Sequence, residues 1–381
     1  MLEDRDLGAR PHAPAAARGR LGERLRMQSV FLGIIAFAVV LFLLVQARFI
    51  LISLATAIIL FSLTADAITA VGRLRLFGAR IPAWLASVVA LLLIAAGLTT
   101  LSAVLLGQAN TVLATALSYT DRSAQAIASL FSWLGADVEA AILQSMRSIE
   151  IGSYLTTVAS QAGSLLSATV LVILFVGFLF AERIWFRDKL RNLYGDPGRA
   201  DRVGVIIGTI MRRVNRYLLV KALVSGVTGI IVYAIARVSG LELAVAMAIL
   251  TFVLNFIPSI GSIVATAMVA LIALVQTNDP VLASILFFVI GTVQFTIGNV
   301  IDPMLMGHAL RLSSFGIIMS LAFWGAVWGL PGMFLAVPIM VATMIACSNI
   351  PMLRPLAILL SREGLPEADT GAAPAAAGAQ G

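Results

Sequence analysis

Asp302 carries the most distinctive chemistry in the chain. It stands in Gly298-Asn299-Val300-Ile301-Asp302-Pro303, at the end of a long apolar run, and ionisable residues at membrane segments are functional candidates by default. A carboxylate there can release a proton to take a cation, or it can simply end the span beside Pro303 and Gly307. Asn255, Gln294 and Asn299 are uncharged and offer hydrogen bonds, either to a polar solute or to neighbouring helices. His308, a few residues on, could titrate near neutral pH or sit as an ordinary interfacial residue.

Other chemistry is missing from the pattern. The sequence holds no HExxH, no GxSxG between strand and helix signals, and no glycine-rich phosphate loop ending in Gly-Lys-Ser/Thr. Its two histidines, His12 and His308, have no Cys or His partner at metal spacing. Cys347 is the single cysteine and lies in an apolar run, so an intramolecular disulfide is excluded. No catalytic residue, metal site or cofactor is expected, and the chain reads as a non-enzyme.

Two places in the backbone look built for a site. Between Glu242 and Asp279 lie 36 residues without a formal charge, and between Arg311 and Arg354 lie 42. The first run is interrupted by Asn255-Phe256-Ile257-Pro258-Ser259-Ile260-Gly261, and the second by Trp328-Gly329-Leu330-Pro331-Gly332, with Pro338 following. Proline removes a donor and glycine lets the chain reverse. In hydrocarbon the freed backbone groups must be satisfied by protein or by a water-filled cavity. A pair of such breaks is the best sequence pointer to a transporter binding site. The competing reading is two long tilted helices with proline kinks. Asn255, Pro258, Gly261, Asn299, Asp302, Pro303, Gly329, Pro331 and Gly332 are therefore the candidate pathway or coupling residues. Ala222, Gly226 and Gly229, with Gly325 of a Gly-x-x-x-Gly pair, are candidate helix-packing positions.

The elements that must hold these residues are transmembrane helices. The chain has 381 residues, 60% hydrophobic and only 12% charged, with a mean hydropathy of +1.01. That composition excludes a soluble enzyme, a secreted disulfide scaffold and a disordered protein. Apolar segments fall at 30–47, 49–65, 83–106, 164–181, 218–236, 243–277, 281–301 and 313–349, and a span needs about 20 residues. The expected fold is all-α and polytopic, with about eight hydrophobic segments. The first two segments meet at Gln46-Ala47-Arg48 and read as a tight helical hairpin.

Charge sets the expected orientation. Of 26 Lys and Arg, six lie in 1–29, three in 64–82 and ten in 182–221. These clusters flank apolar runs instead of interleaving with aromatics, which argues for cytoplasmic loops facing lipid and against nucleic acid. The organisation that follows is a disordered cytoplasmic tail at 1–29 and three spans within 30–106. An extracytoplasmic amphipathic section at 107–163 and a fourth span at 164–181 come next. A basic cytoplasmic section at 182–217 then carries an amphipathic helix over 203–217. Further spans fill 218–349, and a cytoplasmic tail occupies 350–381. Ile127, Leu130, Phe131, Leu134 and Val138 recur at helical spacing, so the outside section reads as one or two amphipathic helices.

Four stretches of the last third resemble the autoinducer-2 exporter family of bacterial membrane proteins. They are Lys221 with Ser225-Gly226-Val227-Thr228-Gly229, then the Asn255–Gly261 break, then Gly298-Asn299 through Pro303 to Met306-Gly307 and Leu310-Arg311-Leu312-Ser313. The fourth is Ser320-Leu321-Ala322-Phe323-Trp324-Gly325, Gly329, Gly332-Met333 and Val337-Pro338. The resemblance implies a multi-pass inner-membrane permease that exports small molecules, including a furanone-type quorum signal. Some relatives are described as sodium/proton antiporters. The chain departs from many members at Ser262, where a proline is common, and at Asp302, where an uncharged residue is common. Expected partners are a small-molecule solute, the lipid bilayer, a coupled proton or sodium ion, and further copies of the chain in a homo-oligomer. The alternatives to metabolite export are cation/proton antiport and, from another class, a non-transporting membrane scaffold.

Overall fold

A computed structural model of the chain describes residues 15–71, 83–118, 151–306, 312–362 and 364. Helices account for nearly all of them. The one strand-like contact among the described residues is an isolated bridge between Leu312 and Ser361. The chain divides into two compact units, residues 1–51 and 52–381.

In the first unit α1 spans Ala15–Gln46, and α2 (Arg48–Val71) begins after a single turn residue, Ala47. The Ala47 N–H donates to Leu43 O at 2.9 Å, and the Leu51 N–H donates to Ala47 O at 2.9 Å. Helical bonding thus reaches the junction from both sides. An antiparallel helix pair needs a loop of about two to five residues, and here a single turn residue, Ala47, stands at the expected Gln46-Ala47-Arg48 junction. Helix also replaces the expected disorder over 15–29, while 1–14 lie outside the described residues.

The second unit starts with three packed helices: α2, α3 (Ala83–Ser118) and α4 (Ile151–Glu182). Ala57, Ala90, Ile94, Val172, Val176 and Phe180 form their core. The Phe61 and Phe180 rings meet edge to face at 5.0 Å, and the Ser102 and Thr169 hydroxyls bond at 2.9 Å across α3 and α4. The two edges of the 107–163 section are continuations of α3 and α4. Its expected amphipathic helix, with Ile127 through Val138, lies outside the described residues.

The short α5 (Phe186–Tyr194) buries no residue, and its last turn ends at Gly195 with φ 61. Next comes α6 (Pro197–Val238), started by an Asp196 carboxylate accepting from the Gly198 N–H, with Pro197 in the first turn. At 42 residues it runs about 63 Å at 1.5 Å per residue. The expected surface helix 203–217 and the expected span 218–236 are one continuous rod. No glycine or proline interrupts 209–225, so nothing in the local chemistry ends the helix there.

Both broken segments are helical hairpins, not kinked rods. The first has arms α7 (Ala244–Leu254) and α8 (Ile260–Thr277). The second follows α9 (Pro280–Thr296), a π-helical turn (Ile297–Ile301) and α10 (Asp302–Met306), and has arms α11 (Ser314–Trp328) and α12 (Leu330–Ser348). In the second, Ser320 Oγ donates to Ala336 O at 2.8 Å, Gly325 faces Met333 and Gly332 faces Trp324. Those pairs descend on one arm as they climb on the other, which is an antiparallel reversal. Gly329, at φ 67 and ψ −144, makes the turn in a backbone region that is essentially glycine-only.

The first turn is different. The Ile260 N–H donates to Pro258 O at 2.7 Å across Ser259, which has φ 62 and ψ −49. That is a γ-turn of the rare strained hand.

One glycine lets each pair of arms close. A Cβ on Gly261 would lie 1.7 Å from Leu254 O, and one on Gly332 would lie 2.0 Å from Trp324 O. Between helices in lipid there is no hydrophobic driving force, so close packing of small residues supplies the attraction. The core of α6, α7, α8 and α9 uses Ala236, Ala244, Ala246 and Ala273 for this, around Met247, Val269 and Ile290. The C-terminal 3-10 turn Pro351–Leu353 and α13 (Arg354–Leu360) fold back onto this half. Ala357 is fully buried, and Leu360 O accepts from the Ser313 N–H at 2.9 Å. The expected tail from 350 therefore begins with a docked element.

Seven helices among the described residues are long and apolar enough to cross a membrane, and four shorter apolar ones accompany them. The fold is that of a polytopic helical membrane protein.

Candidate functional site

The site is built on one face of α6. Tyr217, Lys221, Ser225 and Thr228 recur at helical spacing, and all four are buried. Lys221 Nζ donates to Asp302 Oδ2 at 2.5 Å, with the two side chains 6% and 15% exposed. Asn255, at the turn of the first hairpin, donates from Nδ2 to Ser225 Oγ at 3.2 Å. The hairpin tip is thus tied to α6 one turn away from the ion pair. Tyr217, one turn to the other side, lies within electrostatic reach of Asp302.

The π-helical turn at 297–301 helps to place the carboxylate. The Asp302 N–H donates to Ile297 O, five residues back, and the extra residue in that turn re-aims the side chains that follow. Such turns are frequent at functional sites. A lone charge in this surrounding would be costly. Removing one partner of a buried pair typically costs about 3–5 kcal/mol, because the other charge stays buried and uncompensated. Each of Lys221 and Asp302 is therefore tolerable chiefly because of the other.

The candidate residues separate into three groups. Asn255 and Asp302 come together around α6, with the exposed Pro303 following Asp302. Pro258 and Gly261 form the first turn, and Gly329, Pro331 and Gly332 form the second. The first turn meets the second hairpin in the middle of its arms: Ile257 packs with Leu321 and Ala336, and Phe256 lies 4.7 Å from Phe334. The two tips are offset. Asn299 stays apart, exposed and bonded through Nδ2 to Phe295 O of its own helix at 2.9 Å. His308 lies outside the described residues.

Of the small-residue stripe, Gly229 makes a close approach, 3.1 Å from its Cβ position to Ala248 O. Ala222 is exposed, and Gly226 faces open space. Gly325 packs on Met333 within its own hairpin.

Lys221, Tyr217 and Thr228 escaped the sequence reading of the site. Lys221 falls at the edge of the basic cluster 182–221, and Tyr217 falls on the apolar stripe of 203–217. The usable signal was their common spacing with Ser225 inside an apolar run, which puts a lysine on a buried helix face. Among the described residues no three His, Cys, Asp or Glu side chains cluster as metal ligands.

Known proteins of related sequence bear transport names. A "Putative transport protein" of Borreliella burgdorferi is 32% identical over 208 residues, 54% of this chain and 57% of that protein. "Putative transport protein YhhT" of Escherichia coli K12 is 29% identical over 200 residues, 52% of this chain and 56% of that one. "AI-2 transport protein TqsA" of the same organism is 28% identical over 207 residues, 54% and 59% of the two chains. The chain thus covers less than two thirds of the length of each of these relatives. The sequence model described as "AI-2E family transporter" matches residues 32–352, most of the chain and every residue of the site built around α6. The chain belongs to the AI-2E transporter family.

Proposed function

We propose that the chain is a secondary transporter that exports a small, polar, uncharged metabolite or signal molecule across the bacterial inner membrane, with both termini cytoplasmic. The observation that carries the reading is the buried Lys221–Asp302 pair beside the hairpin tip that holds Asn255. Charge at that depth is retained for function more readily than for stability. A discontinuous helix beside it supplies the irregular backbone that transporter sites use. The relative TqsA is named an AI-2 transport protein, and a furanone-type quorum signal belongs to the same small polar class.

A second reading is cation/proton antiport at the same site. Asp302 Oδ1 has no hydrogen-bond partner among the described residues, so one oxygen is open to a proton or a cation while Lys221 holds the other. Everted vesicles decide between the two. Sodium added to an antiporter collapses an imposed proton gradient, and sodium added to a metabolite exporter leaves it standing. Metabolite profiles of the medium from deletion and overexpressing strains then find the solute. Unchanged profiles together with an unchanged gradient would refute transport and favour a scaffold.

A further inference from the structure

The buried polar face of α6 extends beyond the ion pair, and its far end is unsatisfied. Along this face, five buried side-chain atoms of four residues have no hydrogen-bond partner among the described residues: Tyr217 Oη, Asp302 Oδ1, Thr251 Oγ1, and both Gln294 Nε2 and Gln294 Oε1. Thr251 is 1% exposed and Gln294 is 4% exposed. A buried polar group is normally bonded, and a glutamine with both ends open inside an apolar bundle calls for a partner that the described residues do not supply.

The register of the helices brings these groups to one column. α6 and the α9–α10 rod run antiparallel: Lys221 meets Asp302, while Val232 and Ala236 share a core with Ile290 and Leu286. Gln294 therefore falls level with Thr228. α6 and α7 are likewise antiparallel, since Ser225 meets Asn255 and Gly229 meets Ala248 O and Phe252. Thr251 falls between those two contacts, at the same level. From Tyr217 to Thr228 the column rises about 16 Å at 1.5 Å per residue, roughly half of the hydrocarbon thickness.

We infer that Thr228, Thr251 and Gln294 form the seat of a small uncharged, hydroxyl-bearing solute, directly adjoining the Asn255–Ser225 link and the Lys221–Asp302 pair. This rests on the transport reading above and gives it a substrate class. The charge argument is that Lys221 and Asp302 neutralise each other, so a charged solute would enter without a counter-charge. The hydrogen-bonding argument is that Gln294 Oε1 and Asp302 Oδ1 require donors, Gln294 Nε2 requires acceptors, and the Tyr217 and Thr251 hydroxyls take either. A solute carrying several hydroxyl groups supplies both. None of the three seat residues bears a charge, which explains why charge patterning alone does not reveal them.

The test is chemical access in the full-length protein. In a Cys347→Ser background, Thr251→Cys and Gln294→Cys are exposed in membrane vesicles to hydroxyethyl methanethiosulfonate, a small neutral reagent that itself carries a hydroxyl. Val232→Cys on α6 and Ile290→Cys on α9, both at fully buried positions of the neighbouring apolar core, are the controls. The seat predicts labelling at 251 and 294 about tenfold or more faster than at 232 and 290, as a polar cavity admits a polar reagent and a dry one does not. It also predicts that glycerol slows labelling at 251 and 294 while leaving the exposed Arg199→Cys unaffected. Labelling as slow as at the controls overturns the seat, and labelling that glycerol leaves unchanged overturns the solute class.

Gln294→Leu gives a second measure. It should remove the part of the purified protein's glycerol stabilisation that exceeds that of trimethylamine oxide, an osmolyte that acts by exclusion alone. A raised melting point with that excess intact would mark a dry, merely unsatisfied glutamine. Silent cysteines in a protein whose vesicles still transport would remove the seat alone. Fast, glycerol-protected labelling in a protein that moves neither metabolite nor protons would remove the transport reading alone.

Discussion

Lys221 and Asp302, 81 residues apart in the chain, share a hydrogen bond of 2.5 Å between side chains that are 6% and 15% exposed. The contact closes α10 onto α6 and sits one helical turn from the Asn255–Ser225 bond that fixes the first hairpin. One residue pair thereby links a buried charge, a π-helical turn and a chain reversal.

The first prediction concerns that pair. Lys221→Met and Asp302→Leu should each destabilise the protein by about 3–5 kcal/mol, because each leaves one buried charge alone. The double variant should recover most of the loss while transport stays absent. Thermal unfolding in detergent measures all three. Additive losses would show that the two groups do not act as a pair.

A conservative variant asks about coupling. Asp302→Asn keeps the size of the side chain and cannot titrate. Asn can still accept from Lys221 but leaves that charge uncompensated, so uptake is normalised to folded protein. If a proton is exchanged at this carboxylate, the normalised uptake into everted vesicles loses its pH dependence. A wild-type rate and pH profile would leave Asp302 with a positioning role only.

Close approach at the hairpin turns gives a sharper steric prediction. Gly261→Ala and Gly332→Ala place a methyl group 1.7 Å from Leu254 O and 2.0 Å from Trp324 O. Overpacking of this kind costs about 1–3 kcal/mol or more, and here the obstruction is backbone, which cannot rotate away. Gly226→Ala, with no atom within 4 Å, should be near neutral. Folded yield and melting midpoint distinguish the three, and equal behaviour would contradict the hairpin geometry.

Strain at Ser259 predicts the opposite sign. A non-glycine residue in such a region costs about 1–3 kcal/mol, and glycine brings back about 0.5–1 kcal/mol of chain entropy cost. Ser259→Gly should therefore raise the melting midpoint by an amount worth about 1 kcal/mol. A lowered midpoint would mean that the turn is not strained as described.

Orientation is checked by labelling. In a Cys347→Ser background, Arg199→Cys should resist an impermeant thiol reagent added to intact cells and react after the cells are opened, because basic loops favour the inside. Reaction from outside would invert the topology and the direction of export inferred from it.

Much of this molecule is legible along the chain. Length and apolarity of a run are local properties, so the spans at 83–106 and 164–181 reappear within α3 and α4, and that at 281–301 in α9 together with the π-helical turn. The interruptions at Pro258 and Gly329 are also local, since proline lacks a donor and glycine alone accepts φ 67 with ψ −144. Whether such a break kinks a rod or reverses it depends on what the second arm meets. That was decided by Gly261 and Gly332 seating against carbonyls of the first arm. Helix ends at 203–218 and 350–361 were misplaced by polarity because a helix continues through a change of solvent when no residue stops it. The site itself is the least local feature. Asn255 and Asp302 stand out as polar points in apolar runs, but Lys221 resembles any basic residue beside a span until α10 folds onto α6. The ion pair, the Asn255–Ser225 link and the column to Gln294 join residues 30 to 81 positions apart, and only the packing of antiparallel helices sets which of them face one another.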